Sequence, residues 1–425
     1  MALSPTSIAF TDTTGNSATA PQSVSISSAT SGSAPLTGLT IGTITYAGAA
    51  SGWAKASLSG SDAPATLTVT ANKGTIAAGT YTAMIPITST VATNSPQGVT
   101  VTLRLTPPPP PPPPPGPTIT IVAAGNLGSC GGELGRESAK VIAAAHPDYV
   151  FMLGGNIPGP APGQLTTLQD YMNCYDPTWG QFKSITYAEL GAKEVDVNMV
   201  PPDYGSGKAP GADAYFGPAR IGPPGKNWYS FDLGSWHIVA LNVESPGGYT
   251  RPKAIQYNAS SEQFWWLGED LKAHPNKCTL AFWYQGMWIS STTQPPPDQP
   301  KDGYRIQDIR GIWTQLYENN ADLVINGNPH IYERFAPMKY DRSYSDPSPT
   351  EWAADPVRGI RQITSGLGGD GPIQADAAVV RLPTSEYRSG GNGVLKLVLG
   401  DGAYTWEFLN TKYSHITDHG TGTCH

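Results

Sequence analysis

Residues 321–334 read Ala-Asp-Leu-Val-Ile-Asn-Gly-Asn-Pro-His-Ile-Tyr-Glu-Arg. A β-branched, apolar run from Ala321 to Asn326 passes directly into Gly327-Asn328-Pro329-His330, a loop of turn-forming and polar residues. This is the pattern of a buried strand with its polar residues gathered at the carboxyl end. It recurs upstream. Thr118-Ile-Thr-Ile-Val leads into Ala124-Gly125-Asn126-Leu127-Gly128, Tyr149-Val-Phe-Met-Leu into Gly154-Gly155-Asn156, and Cys278-Thr-Leu-Ala-Phe-Trp into Tyr284-Gln285-Gly286. Trp236-His-Ile-Val-Ala-Leu is a further apolar run, and Gly191-Ala192-Lys193-Glu194 a further loop. Helical spacing fills the intervals, most clearly over Glu133–Ala145 and Ser261–Ala273, where Ser261 can cap the amino end and Phe264, Trp265, Leu267 and Leu271 supply an apolar face. Strands alternating with helices predict a layered α/β domain over residues 118–425, with ligands expected at the strand carboxyl ends.

Residues 1–106 follow a different rule. They hold five charged residues (Asp12, Lys55, Asp62, Lys73, Arg104) and alternate with period two in Ser23-Val-Ser-Ile-Ser, Ala65-Thr-Leu-Thr-Val-Thr, Tyr81-Thr-Ala-Met-Ile-Pro-Ile-Thr and Val99-Thr-Val-Thr-Leu-Arg-Leu. Half-buried antiparallel strands of an all-β sandwich are expected there, with Trp53 in the core. Between the two lie Pro107 to Pro115, then Gly116 and Pro117. A run of prolines adopts polyproline II, so residues 107–117 are read as a stiff linker that holds its neighbours about 28 Å apart.

Whole-chain composition narrows the functions. Of 425 residues, 48 are Gly and 41 Pro, while charged residues make up 14%, which excludes a helical bundle. The net charge of −7 leaves no basic stripe for nucleic acid. No apolar run is long enough to span a bilayer. Met1-Ala2-Leu3-Ser4-Pro5 has neither a basic nor an apolar signal region, so no signal peptide is read in this sequence. Cys130, Cys174, Cys278 and Cys424 fit no Cys-x-x-Cys pattern; two disulfides are expected, with all three pairings open.

The ordered strand-end loops, together with Tyr175-Asp-Pro-Thr-Trp-Gly, Trp228-Tyr-Ser-Phe-Asp-Leu-Gly-Ser-Trp-His-Ile-Val, Tyr332-Glu-Arg-Phe-Ala-Pro and Arg358-Gly-Ile-Arg-Gln, resemble the calcineurin-like metallophosphoesterases, in particular their purple-acid-phosphatase-like branch. The resemblance spans nearly all of residues 119–425 and implies an α/β/β/α four-layer sandwich. The stretch from Trp53 through Gly79-Thr-Tyr-Thr to Asn94-Ser-Pro-Gln resembles the BACON-type immunoglobulin-like modules of secreted bacterial proteins, and implies a spacer or carbohydrate-binding adhesin.

The metallophosphoesterase family uses two metals such as Fe, Zn or Mn to clamp an in-line phosphoryl transfer. Carried over position by position, its ligands are mostly absent. The first-strand Asp falls on Asn126 and the metal-bridging Asp on Gly155, which Asn156 follows. The Asn-His pair falls on Ala192 and Lys193, the ligand His of the next loop on Tyr284, followed by Gln285, and the first His of the last loop on Asn328, leaving His330. One imidazole and a few amides hold two divalent ions poorly. The resemblance therefore implies a pseudo-phosphoesterase with no catalytic residues, no metal ligands and no cofactor, secreted or on the cell surface. It would bind a carbohydrate or protein through uncharged groups that include Trp288, or self-associate. The alternative is a phosphoesterase with a rearranged metal site. Glu194, Asp196 and Asp203 are read as a solvated acidic loop, His237 as core, Tyr332-Glu333-Arg334 as an ion pair beneath the site, Ser291–Pro300 as an exposed loop, and Asn258-Ala259-Ser260 as a glycosylation sequon.

Overall fold

The computed structural model describes the chain except residues 14–17, 30–34, 49, 74–75, 77–78, 107–113, 115, 160–164, 192, 195–208, 244–260, 276–277, 291–302, 340–353, 372–381 and 412–415. Most of the proline run, Ala192, Asp196, Asp203, the Ser291–Pro300 loop and the Asn258 sequon lie outside the described residues. Two compact units are present, Met1–Pro109 and Pro110–His425.

In the first unit, alternation decides which side chains go inward. Along Gln97–Thr106 the residues Val99, Val101, Leu103 and Leu105 are buried and those between them are not; Ala65–Ala71 behaves alike. Such strands present one apolar face, and two sheets close over it. One runs Ala2–Ser4, Gln22–Ser27, Ala65–Ala71, Ala54–Leu58, the other Ser7–Thr13, Gln97–Thr106, Gly79–Thr88, Thr40–Ile41. Trp53 is buried in their shared core. The antiparallel expectation holds except for Ser7–Thr13, which pairs parallel with Gln97–Thr106.

In the second unit the central strands bury both faces. Every residue of Trp236–Ala240 and of Cys278–Gln285 is buried. A six-stranded sheet runs Thr186–Glu189, Tyr149–Leu153, Ile119–Ala124, Gly393–Gly400, Ala403–Asn410, Ile416–Thr423. A seven-stranded sheet runs Tyr229–Leu233, Trp236–Ala240, Cys278–Gln285, Leu323–Asn328, Ile360–Ser365, Tyr332–Met338, Ser385–Ser389. Their facing sides share one apolar layer, in which Phe151 stacks on Phe282 at 4.7 Å and Tyr187 on Phe231 at 3.9 Å. Val122, Ala124 and Val150 on the outer face of the first sheet pack against Ala139 and Ile142 of helix Glu133–Ala145. Val239, Ala281 and Val324 on the outer face of the second pack against Leu267 and Leu271 of helix Glu262–Ala273 and against Ile312 and Trp313 of helix Gly303–Glu318. The order is helix, sheet, sheet, helix.

Ser261 caps its helix by accepting from the Phe264 amide, as its position predicts. The apolar face is narrower than expected: Leu267 and Leu271 are buried but Trp265 is 63% exposed. Trp288 lies in the helix-side core against Trp313, not in an open cleft. The cysteines pair Cys130–Cys174 and Cys278–Cys424, the latter tying the start of strand Cys278–Gln285 in one sheet to the residue just after the edge strand Ile416–Thr423 of the other. Among the described residues no helix is long and apolar enough to cross a membrane.

Candidate functional site

The parallel strands of both sheets end on the same side, and their loops meet there. Asn126, which follows Ile119–Ala124 with φ 57°, donates through Nδ2 to the carbonyls of Gly327 (2.6 Å) and Gly366 (3.2 Å). Its Oδ1 accepts from the Tyr284 hydroxyl at 2.9 Å. Asn126 thus joins the first strand of one sheet to three strand ends of the other, with both ends of its side chain occupied.

Glycines make room for this closure. A Cβ on Gly154 would lie 2.5 Å from Tyr284 Cδ2, and one on Gly155 would lie 2.3 Å from Asn126 Oδ1. Gly155 also has φ +67°, where a side chain is strained. The amides freed by this turn are taken by Glu194, whose carboxylate accepts from Gly155 N at 2.9 Å, Gly191 N at 2.7 Å and Ile157 N at 3.3 Å. The expected solvated acidic loop is corrected at this residue. Glu194 is buried because three backbone amides replace its water, and burial lifts its pKa to about 7 against the opposing pull of those amides.

Asn156 donates to the carbonyl of Glu189 (3.2 Å) and to the Tyr171 hydroxyl (3.3 Å). Glu189, the last residue of its strand, is fully buried, and burial drives its pKa well above the usual carboxylate range against the smaller opposing pull of a backbone hydrogen bond from Leu190. Asn328 donates to Gln285 Oε1 at 2.7 Å. At the rim, Lys193 Nζ lies 3.2 Å from Asp370, and His330 Nδ1 lies 3.4 Å from Asp370 and from the Gly371 carbonyl. Burial lowers the His330 pKa and Lys193 adds to the effect, while Asp370 opposes it.

The structure therefore brings Asn126, Gly155, Asn156, Lys193, Tyr284, Gln285, Asn328 and His330 to one place, as the loop order predicts; Ala192 is outside the described residues. It does not leave them as an open cleft of uncharged groups. Asn126, Asn156, Tyr284 and Gln285 are buried, and they hydrogen-bond to one another, to backbone carbonyls, to Asn328 and to the Tyr171 hydroxyl. Sequence reasoning missed Glu189 and Asp370. The latter sits in Gly368-Gly369-Asp370-Gly371, the loop after the parallel strand Ile360–Ser365, and a complete reading of strand ends would have found it. Tyr332-Glu333-Arg334 does anchor charge beneath the site, but its members pair outward: Arg334 with Asp418, also held by Tyr332, and Glu333 with Ser290 and Ser385.

At the positions where the resemblance expects ligands, the space a Cβ on Gly155 would need is filled by Asn126, the Tyr284 ring is seated on Gly154, and Lys193 pairs with Asp370. Donor atoms do converge elsewhere. One imidazole or carboxylate atom from each of His237, Asp270 and His274 lies within 4.8 Å of the others. A second such group, Cys278, Asp322 and Cys424, has its sulfurs joined in a disulfide.

No family model matches the chain. It is similar to purple acid phosphatase 21 of Arabidopsis thaliana, 29% identical over 201 residues, and to purple acid phosphatase 22 of the same plant, 28% over 198; each match covers 45% of this chain and 39% of the relative. The chain thus matches about two-fifths of the length of these curated relatives. Among solved structures it is similar to a purple acid phosphatase from yellow lupin (Lupinus luteus) seeds, with TM-score 0.49 and 15% identity over 95% of this chain and 72% of that one. PhoD gives TM-score 0.49 and 15% identity over 84% and 76%. The sequence relatives and the sheet layout agree on a metallophosphoesterase-like fold for the second unit. They also correct one expectation. That the chain takes no metal does not stand, because its relatives are purple acid phosphatases, which points to metal use, and a metal-capable donor group is present at His237.

Proposed function

We propose that residues 118–425 form a metallophosphoesterase-fold domain whose strand-end cluster has passed from metal ligation to internal hydrogen bonding, so that this face binds a partner instead of hydrolysing a phosphoester. The observation that carries the reading is the Tyr284–Asn126 hydrogen bond at 2.9 Å, with Asn126 Oδ1 lying where a side chain on Gly155 would begin. The partner, a carbohydrate or a protein, meets the rim of Lys193, Asp370 and Asn328 and not the buried amides. The two-sheet packing of the first unit supports an immunoglobulin-like sandwich of BACON type, acting as a spacer that the proline linker extends. Two disulfides suit an oxidising, extracellular setting. The test is hydrolysis of a generic aryl phosphate after incubation with Fe, Zn and Mn. No turnover is expected; turnover abolished by His330→Ala overturns the reading.

A second reading has its own support. All the sequence relatives named above are phosphatases, and that favours a metal-dependent phosphoesterase with a rearranged ligand set over a binding module. His330, Asp370 and Lys193, clustered at the rim, are the groups such an activity would draw on. The same assay separates the two.

A further inference from the structure

We infer that His237, Asp270 and His274 form a binding site for a single first-row divalent cation, zinc above all, at the opposite end of the strands from the phosphoesterase-like loops. His237 stands on Trp236–Ala240 and faces helix Glu262–Ala273. Its strand neighbour is Thr279, five residues before Tyr284 and so about 16 Å along the sheet from the strand-end cluster. Asp270 belongs to the last turn of that helix and His274 is its C-cap, four residues on, so both lie on one helical face.

The chemistry of each ligand is prepared. His237 Nδ1 lies 2.8 Å from Asp232 Oδ1 on the adjacent strand, and a carboxylate at that nitrogen fixes the ring and directs Nε2 outward, as it does for metal-bound histidines generally. Nε2 lies 2.9 Å from Asp270 Oδ2, while the other oxygen, Oδ1, accepts from Ser230 Oγ at 2.7 Å and is thereby oriented. The His274 ring stacks on His237 with centroids 4.5 Å apart and planes 9° apart, and its Nδ1 lies 3.4 Å from Asp270 Oδ1. Two imidazoles and one carboxylate suit zinc. His237 is fully buried whereas the His274 side chain is 40% exposed, so the cluster is walled on the protein side and reachable from solvent. Without metal, the Nε2 proton of His237 bridges to Asp270 and His274 Nδ1 bonds the Asp270 carbonyl at 2.9 Å. Metal would replace both hydrogen bonds with coordinate bonds: the proton on His237 Nε2 would pass to solvent, and the proton on His274 Nδ1 would move to that ring's Nε2.

The inference does not rest on the binding or hydrolytic role of the strand-end loops. The full chain, stripped with a chelator, is titrated with zinc chloride by calorimetry in two buffers of different ionisation enthalpy. Expected are saturation at one zinc per chain, net proton release, an affinity loss of about tenfold or more in His274→Ala and in Asp232→Asn, and an unchanged affinity in His330→Ala. His274→Ala removes a half-exposed ring, and Asp232→Asn alters a carboxylate at the surface, so the folded state survives both. Absence of saturable binding up to about 1 mM zinc, well beyond what three protein ligands should require, overturns the site. So does binding lost in His330→Ala but kept in His274→Ala.

Discussion

At the carboxyl ends of the parallel strands Asn126, Glu194, Tyr284 and Asn328 are each bound to another part of the chain, whereas toward the other end His237, Asp270 and His274 turn donor atoms toward one another beside solvent. Both clusters combine buried polar groups, and the difference lies in what satisfies them. At the strand ends the Asn126 amide and the Tyr284 phenol bind each other and Asn328 binds Gln285. Imidazoles backed by carboxylates keep lone pairs that a cation can take once a proton leaves. One domain can therefore close its polar groups on each other at one end of its strands and offer ligands toward the other.

Several changes would break or sharpen this contrast. The largest effect is expected from placing a carboxylate in the turn: Gly155→Asp puts a Cβ 2.3 Å from Asn126 Oδ1 at φ +67°, and should cost about 3–4 kcal/mol in denaturant unfolding without conferring aryl-phosphate hydrolysis. A stable, active variant would mean the cluster is looser than its hydrogen bonds indicate. Tyr284→Ala should follow at about 3 kcal/mol, since it empties a ring-sized space and strips Asn126 Oδ1 of its donor.

A smaller effect concerns pH. Glu194 has a folded pKa of about 7 against 4.5 for the free side chain, and Glu189 is shifted the same way. Below pH 4.5 both states hold these protons. As pH rises, the unfolded chain releases them first, so stability from this source falls between about pH 4.5 and 7. Thermal unfolding of the wild type should drift down over that interval, and the Glu189→Gln/Glu194→Gln variant should flatten the drift. An unchanged slope would remove these carboxyls from the account. Smallest of all, Asn328→Ala deletes one partly buried hydrogen bond to Gln285 and should cost about 1 kcal/mol by the same unfolding measurement.

Much of this was legible in the sequence. The strand runs and their terminal loops place Asn126, Gly155, Tyr284 and Asn328 together because parallel strands must end on one side. Ser261 announces its helix, and period-two alternation yields the sandwich strands. What escaped depends on contacts far apart in the chain. Glu194 looks like a solvated acid until the amides of Gly155 and Ile157, nearly forty residues earlier, reach it. Trp265 fits the helical period, yet Gln263 and Asp270 take buried positions on that helix instead. Asp270 and His274 were not singled out at all, because the residue that joins them, His237, lies 33 residues before Asp270 on a strand and reads as core.

The account turns on where the metal sits. Anomalous scattering at the zinc edge, from crystals of the full chain soaked in zinc, measures that directly. One peak between His237, Asp270 and His274, with none among the strand-end loops, is the predicted result. A pair of peaks beside His330 and Asn126 would contradict it and restore a two-metal phosphoesterase centre.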